Sequence, residues 1–175
     1  MMAKNQIIYI IGFMGSGKTT AGKKLASLLG WSFIDLDKKI EEQTAKTIPE
    51  IFSQNGEDYF RSIEAQLLRK LKSCSNTVIS TGGGTPCYSD NMDYMTKTGL
   101  TLYLKLTPAE LKSRLSESKG ERPLIKNLDQ EKLQYFIEEK LADREKWYNR
   151  SDITVEGIDL DINLLLSLVK SKLNI

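Results

Sequence analysis

Gly12-Phe13-Met14-Gly15-Ser16-Gly17-Lys18-Thr19 follows directly on an apolar run at residues 6–11 and opens a helical pattern from Lys18 to Leu29. The spacing is G-x-x-x-x-G-K-[ST]. Average residue usage produces it by chance in roughly 0.5–1% of chains of this length. Glycines at these places let consecutive backbone N–H groups turn onto phosphate oxygens. The helix that starts behind them adds a dipole favourable to an anion. Gly15, Ser16, Gly17, Lys18, Thr19 and Thr20 are therefore the candidate nucleotide-binding residues. Lys18 would reach the β- and γ-phosphates, and the Thr19 hydroxyl would ligate Mg²⁺.

Working outward, strand-like and helix-like segments alternate. A continuous apolar run at 6–11 suits a strand buried on both faces, and Gly30 closes the following helix as its C′ glycine. Further strands are expected at 32–34, Thr77–Ser80, 100–106 and 153–155. About forty helical residues separate the second and third, split at Asn55-Gly56. Thr47-Ile48-Pro49-Glu50 and Thr107-Pro108-Ala109-Glu110 carry the T-x-x-E capping-box spacing. Leu133, Phe136, Ile137, Leu141 and Tyr148 mark the apolar stripe of a long helix. The alternation implies an α/β architecture with helices on a mostly parallel sheet. No internal repeat or low-complexity linker interrupts it, so residues 1–175 are expected to form one domain.

Composition narrows the chemistry. The 175 residues include no histidine, which excludes a Ser-His-Asp triad, a Cys-His pair and an H-E-x-x-H zinc site. A net charge of +2 is too balanced for a nucleic-acid footprint. The apolar runs are too short to cross a membrane. Cys74 and Cys87 lack metal spacing and are expected to be reduced, structural thiols of a cytoplasmic protein. No base-reading N-K-x-D accompanies the phosphate loop, and the strand Thr77–Ser80 ends in Ser80 where an acidic residue commonly follows.

The missing acid is found in Phe33-Ile34-Asp35-Leu36-Asp37. Two carboxylates leaving a strand at i and i+2 can both face the crevice at the carboxyl ends of the strands. One can hold Mg²⁺ through water and the other orient an attacking hydroxyl, two tasks that phosphoryl transfer requires. The plainer alternative is that Asp37 N-caps a helix starting at Lys38.

Only six of the 25 basic residues are arginines. Arg144 extends the stripe Leu133-Ile137-Leu141, where a cation is costly unless an anion meets it; a ligand and an internal carboxylate are equal alternatives. Arg61 flanks the stripe Phe60-Ile63-Leu67-Leu71, with Glu64 one turn on to fix its guanidinium. A surface ion pair is the simpler account of it. Arg122 lies in the polar loop Ser116-Glu117-Ser118-Lys119-Gly120-Glu121-Arg122-Pro123 and could reach the transferring phosphate on closure. Arg114 ends the preceding helix, where it could merely complement the dipole. Arg69 and Arg150 read as surface residues. Gly82-Gly83-Gly84, after the third strand, would let backbone approach a ligand closely.

These segments together resemble the shikimate kinase family: GFMGSGKT at 12–19, FIDLD at 33–37, IPEIF…GEDYFRSIE at 48–64, ISTGGG at 79–84, ERPL at 121–124 and DREKWY at 143–148. The resemblance implies a three-layer P-loop kinase fold, its five-stranded parallel sheet ordered 2-3-1-4-5. A substrate-binding helical insertion at about 36–62 and a lid at about 115–127 would complete it. It implies transfer of the ATP γ-phosphate to the 3-hydroxyl of shikimate with Mg²⁺, by a monomer without nucleic-acid or membrane partners. Asp37, Lys18 and Arg122 match the catalytic positions. Asp37, Arg61, Gly83 and Arg144 match the shikimate contacts, the two arginines gripping its carboxylate. Thr19 and, through water, Asp35 match the metal positions. Arg114 matches an adenine-stacking position if one residue is inserted between it and the lid arginine. Ile48, Phe52, Phe60 and Leu124 match apolar pocket walls, and nothing near Val155-Glu156-Gly157 matches a base contact. Alternatives are a related kinase acting on gluconate and a non-catalytic nucleotide-binding module.

Overall fold

The strands are β1 (Ile7–Ile11), β2 (Ser32–Asp35), β3 (Thr77–Ser80), β4 (Leu100–Lys105) and β5 (Ile153–Glu156). The computed structural model describes residues 6–117, 125 and 127–175. All five residues of β1 are buried. Ile7, Tyr9 and Ile11 enter one apolar layer while Ile8 and Ile10 enter another. That division follows the two-residue period of a strand, and it explains why a strand covered on both faces shows no polar alternation. β1 pairs in parallel with β3 and β4, β2 joins the outer side of β3, and β5 joins β4. The resulting order is β2-β3-β1-β4-β5, as the family resemblance implied.

The helices are α1 (Lys18–Leu29), α2 (Leu36–Thr44), α3 (Ile48–Lys70), α4 (Asn91–Thr98), α5 (Pro108–Glu117), α6 (Gln130–Tyr148) and α7 (Ile162–Leu173). α1 and α7 cover the face that carries Ile8 and Ile10. The opposite face, built on Tyr9, Ile79 and Tyr103, is covered by residues of α2 to α6. Three layers result, with the buried sheet between them. Among the described helices none is long and apolar enough to cross a membrane.

Local signals account for most boundaries. Gly30 (φ 68) closes α1 in the left-handed conformation that its lack of a Cβ permits. Thr47 and Glu50 form a reciprocal capping box on α3, and Thr107 and Glu110 make the same exchange of hydrogen bonds ahead of α5. The helical stretch between β2 and β3 breaks at 45–47, where the Thr47 capping box marked a helix start, and not at Asn55-Gly56, the expected split. Ala45 leaves α2 at φ 52, whereas Gly56 (φ 81) only kinks α3. Two helices carried no expectation. α4 has no side-chain N-cap to announce it, and α7 presents its apolar side to α1.

The junction of α4 and β4 is tight. A Cβ on Gly99 would stand 2.5 Å from the Ile7 carbonyl oxygen and 2.8 Å from the Tyr9 ring. Gly99 is extended there, so the constraint is space rather than backbone conformation. Gly99→Ala should therefore destabilise the fold by roughly 1–3 kcal/mol, the usual cost of overpacking. A lower urea midpoint at unchanged m-value would register it.

Candidate active site

The phosphate loop leaves β1 through three glycines in the left-handed half of backbone space, Gly12 (φ 145), Gly15 (φ 80) and Gly17 (φ 92). Gly12 also has no room for a side chain, since a Cβ would lie 2.8 Å from the Leu104 carbonyl oxygen. Gly17 caps α1 without a side-chain hydrogen bond, so the first N–H groups of the helix point into the crevice uncapped. Lys18 Nζ donates to the carbonyl oxygens of Gly12 (2.9 Å) and Phe13 (2.8 Å), which holds the ammonium over the loop. Ser16 Oγ is buried with no protein partner, an orphaned polar atom of the kind a bound phosphate would satisfy.

Asp35 does the capping that the sequence offered to Asp37. α2 begins at Leu36, two residues earlier than expected, so Asp35 is the N-cap and its Oδ1 accepts from the Lys38 N–H at 3.3 Å. Its Oδ2 accepts from the Thr19 hydroxyl at 2.9 Å. Asp37, in the first turn of α2, is thereby left for other tasks. The Thr19 and Asp35 oxygens are hard donors placed together beside the phosphate loop. They fit Mg²⁺, which keeps several waters and takes its remaining ligands from substrate phosphates. Consistently, no group of three or more His, Cys, Asp or Glu side chains forms a dedicated metal cage among the described residues.

Gly82, Gly83 and Gly84 lie at the carboxyl end of β3, and each faces at least one charged side chain, Gly82 also meeting Glu64. A Cβ on Gly82 would lie 3.0 Å from Asp37 Oδ1, one on Gly83 would lie 3.2 Å from Arg144 Nη1, and one on Gly84 would lie 2.6 Å from Arg61 Nη2. Three residues from three different helices thus meet one turn of backbone. The Gly83 carbonyl accepts from the Tyr148 hydroxyl, which anchors that turn to the end of α6.

The two arginines are held differently. Arg61 Nη1 donates to Glu64 at 3.0 Å, and its Nε and Nη2 donate to Glu57 at 3.3 and 3.2 Å. Glu64 is fully buried and also accepts from the Thr85 hydroxyl at 2.6 Å. Arg144 lies 5.4 Å from the centre of the Phe13 ring and pairs with no carboxylate among the described residues. The internal-partner account of Arg144 therefore fails within that part of the chain. For Arg61 the ion pair is real, yet it does not remove the guanidinium from the crevice.

Two cavities meet at Gly17 and Thr20. One, of about 380 Å³, is lined by the phosphate loop, Asp35, Asp37 and residues 80–83. The other, of about 470 Å³, runs past Arg114 to residues 157–162. Arg114 Nη1 stands 2.8 Å from a Cβ position on Gly17, and its Nη2 donates to the Ile158 carbonyl at 2.8 Å. The segment 157–162, which lines that space with Gly157, Ile158, Asp159, Leu160, Asp161 and Ile162, carried no assignable sequence signal. Phe52 and Phe60, two of the expected wall residues, pack on each other at 4.8 Å between ring centres. Arg122 and Leu124 lie outside the described residues, as do positions 118–124 and 126 of the expected lid.

Electrostatics single out Asp37. Burial raises its carboxyl to about 6, with the nearby negative charges of Glu64 and Asp35 adding to the rise and Lys18 and Arg61 opposing it.

A phosphate loop between a central parallel strand and α1, facing an acid and two arginines across the strand ends, defines a small-molecule kinase of the P-loop class. Residues 14–166 match the family model described as shikimate kinase. A shikimate kinase of Parabacteroides distasonis is 44% identical over 150 residues, which cover 86% of this chain and 87% of that protein. The crystal structure of shikimate kinase from Bacteroides thetaiotaomicron superposes with a TM-score of 0.91 at 37% identity, covering 97% of this chain and 99% of that one. Shikimate kinase from Acinetobacter baumannii, solved in complex with shikimate, gives a TM-score of 0.82 at 34% identity over 97% of this chain and 93% of that one. The chain belongs to the shikimate kinase family. A gluconokinase from Sinorhizobium meliloti, 16% identical at a TM-score of 0.56, shares the fold alone.

The Asp37 shift has two consequences of opposite sign. If the ionised carboxylate serves the reaction, kcat/KM should rise through about pH 6 and level off above about pH 7. A profile flat from pH 5 to 8 would contradict this. For stability, the folded state holds the proton more tightly than the unfolded chain. The contribution is complete below the unfolded value of 3.8 and is lost as pH rises through about 6. Asp37→Asn should accordingly abolish turnover while raising stability at pH 7.5 by roughly 1–3 kcal/mol. Thermal melts of the two proteins at pH 5 and pH 7.5 would show the gap opening at the higher pH.

Proposed function

We propose that this chain transfers the ATP γ-phosphate to the 3-hydroxyl of shikimate, with Asp37, Arg61 and Arg144 forming the acceptor site around Gly82-Gly83-Gly84. The convergence of those three side chains on one glycine turn, beside the phosphate loop, is the observation that carries the reading. It offers two cations to an acceptor carboxylate and one carboxylate to an acceptor hydroxyl. ATP would lie along the joined cavities, phosphates on Gly15 to Thr20 and base toward Arg114 and residues 157–162.

The acceptor carboxylate docks between Arg61 and Arg144, which turns the ring hydroxyls toward Asp37 and the Gly83 backbone. Asp37 accepts a hydrogen bond from the attacking hydroxyl and holds it in line with the γ-phosphorus. As the new O–P bond forms and the bridging P–O bond to ADP breaks, the hydroxyl proton leaves on the Asp37 side. Lys18 and the N–H groups of the loop offset charge on the phosphate oxygens. Thr19 and, through water, Asp35 would hold Mg²⁺ bound with ATP, which would supply further charge neutralisation. The family resemblance assigns a further cation to Arg122, which lies outside the described residues. Such catalysis rests on positioning and fixed charge, in keeping with a chain that has no histidine.

Two assays test this. ADP should form when ATP and shikimate are supplied, and not with gluconate in its place; turnover of gluconate alone would overturn the assignment. Arg144→Ala should weaken the acceptor by about 2–5 kcal/mol, the usual loss when one partner of a desolvated charge pair is truncated. The KM for ATP should stay within a few-fold. Equal loss for both substrates would make Arg144 a structural residue.

A further inference from the structure

The Arg61 guanidinium is surrounded on more sides than ion pairing alone requires. Of its five N–H groups, the one on Nε and one on Nη2 go to Glu57, and one on Nη1 goes to Glu64. The second N–H on each of Nη1 and Nη2 goes to no carboxylate among the described residues, so the Nη1/Nη2 edge is where a ligand carboxylate could be met. Whether that edge points at the acceptor depends on what keeps the guanidinium from rotating.

Glu64 is a rigid partner, fully buried and fixed by Thr85. Glu57 is not. Its side chain is 48% exposed and it stands four residues before Arg61, an arrangement that by itself tethers weakly. It also directly follows the kink at Gly56, so the helix does little to fix it. Tyr88 supplies the missing restraint. Its hydroxyl donates to Glu57 Oε1 at 2.8 Å, the same oxygen that receives Arg61. Its ring lies over the guanidinium, 3.9 Å from Cζ to the ring centre, closer than Phe60 at 5.0 Å. Tyr88 belongs to the segment that leaves Gly82-Gly83-Gly84, so one short stretch both clears space for Arg61 and holds it.

We propose that Tyr88 is a positioning residue for the acceptor site, fixing the Arg61 guanidinium through ring stacking and through Glu57 so that its free edge meets the acceptor carboxylate. The proposal rests on the reading of Arg61 as an acceptor contact. Tyr88 lines neither cavity at the phosphate loop, so its effect should fall on acceptor binding. The hydrogen bond from Tyr88, with help from Arg61, also holds the Glu57 carboxyl below its ordinary range, which keeps it anionic opposite Arg61.

Steady-state kinetics on Tyr88→Phe, Tyr88→Leu, Glu57→Gln, the Phe/Gln double variant and Arg61→Ala test this. Tyr88→Phe keeps the ring and should raise the acceptor KM about threefold. Tyr88→Leu removes ring and hydroxyl and should raise it about tenfold. In both, kcat and the KM for ATP should stay within about twofold, a split that general loss of structure would not produce. The Phe/Gln double variant should be no worse than the poorer single variant, because both act on one hydrogen bond. An unchanged acceptor KM in Tyr88→Leu, or equal changes in ATP KM and kcat, would overturn the proposal. A raised acceptor KM in Arg61→Ala with none in Tyr88→Leu would defeat only the positioning role. No rise in Arg61→Ala would defeat the Arg61 reading and the Tyr88 proposal with it.

Discussion

Four charged side chains, Asp37, Glu64, Arg61 and Arg144, approach one turn of backbone, Gly82-Gly83-Gly84, where a Cβ would crowd them. That steric fact depends in turn on sheet order. β3 lies between β2 and β1, so the turn leaving β3 is flanked by the carboxylates leaving β2 and by the phosphate loop leaving β1. Parallel pairing brings all three strand ends to the same edge, where ligands of open α/β sheets bind. The glycine turn is then fastened from outside the sheet by the Tyr148 hydroxyl on its carbonyl and by Thr85 on Glu64. Helices as far apart in sequence as α2 and α6 reach the same backbone because the sheet has already placed it.

Electrostatics explain why those fastenings matter. A carboxylate removed from water is unfavourable unless cations and hydrogen bonds replace the solvent. Glu64 receives Arg61 and Thr85, and its burial is compensated locally. Asp37 has cations near it, yet burial and its two acidic neighbours outweigh them, leaving its carboxyl raised to about 6. A group that is unfavourable to the fold and central to the crevice fits a functional constraint rather than a structural one. Asp35 shows the contrast: both of its oxygens serve local structure, one capping α2 and the other accepting from Thr19.

The fold was largely legible because its signals are local. The uninterrupted apolar run of β1, the left-handed Gly30 and the two T-x-x-E boxes each state a backbone requirement within a few residues. The phosphate loop was legible for the same reason. What escaped was relational. That Asp35 and not Asp37 caps α2 depends on a helix start two residues earlier than the carboxylate pattern suggested. The Thr47 box announced the start of α3, but the end of α2 turns on Ala45 adopting a positive φ, which its side chain does not advertise, while the obvious breaker, Gly56, is absorbed as a kink. Tyr88 and Glu57 are 31 residues apart, and although Glu57 lies in the GEDYFRSIE segment, Tyr88 falls within no motif. Residues 157–162 line the cavity past Arg114 with a Gly-Ile-Asp-Leu-Asp-Ile run that composition cannot distinguish from an ordinary connection. The motif-level resemblance proposed the charged groups of the site, and helical spacing offered Glu64 as a partner of Arg61; the restraint from Tyr88 had no such signal.

The absence of histidine takes on a more definite meaning in this setting. A side chain titrating near neutrality is the usual means of moving a proton at physiological pH. Here the crevice brings a carboxylate to about 6 instead. The shift arises from burial and from the charges of Glu64 and Asp35, both of which the fold requires for other reasons: Glu64 to hold Arg61, and Asp35 to cap α2 and meet Thr19. Proton affinity at Asp37 is therefore a by-product of the same packing that positions the acceptor's cations and the phosphate loop. An imidazole would add a titration that phosphoryl transfer has little need of, since positioning and fixed positive charge supply most of its catalysis. One set of contacts thus sets the geometry of the crevice and the basicity of its single raised carboxylate, and neither can be altered without the other.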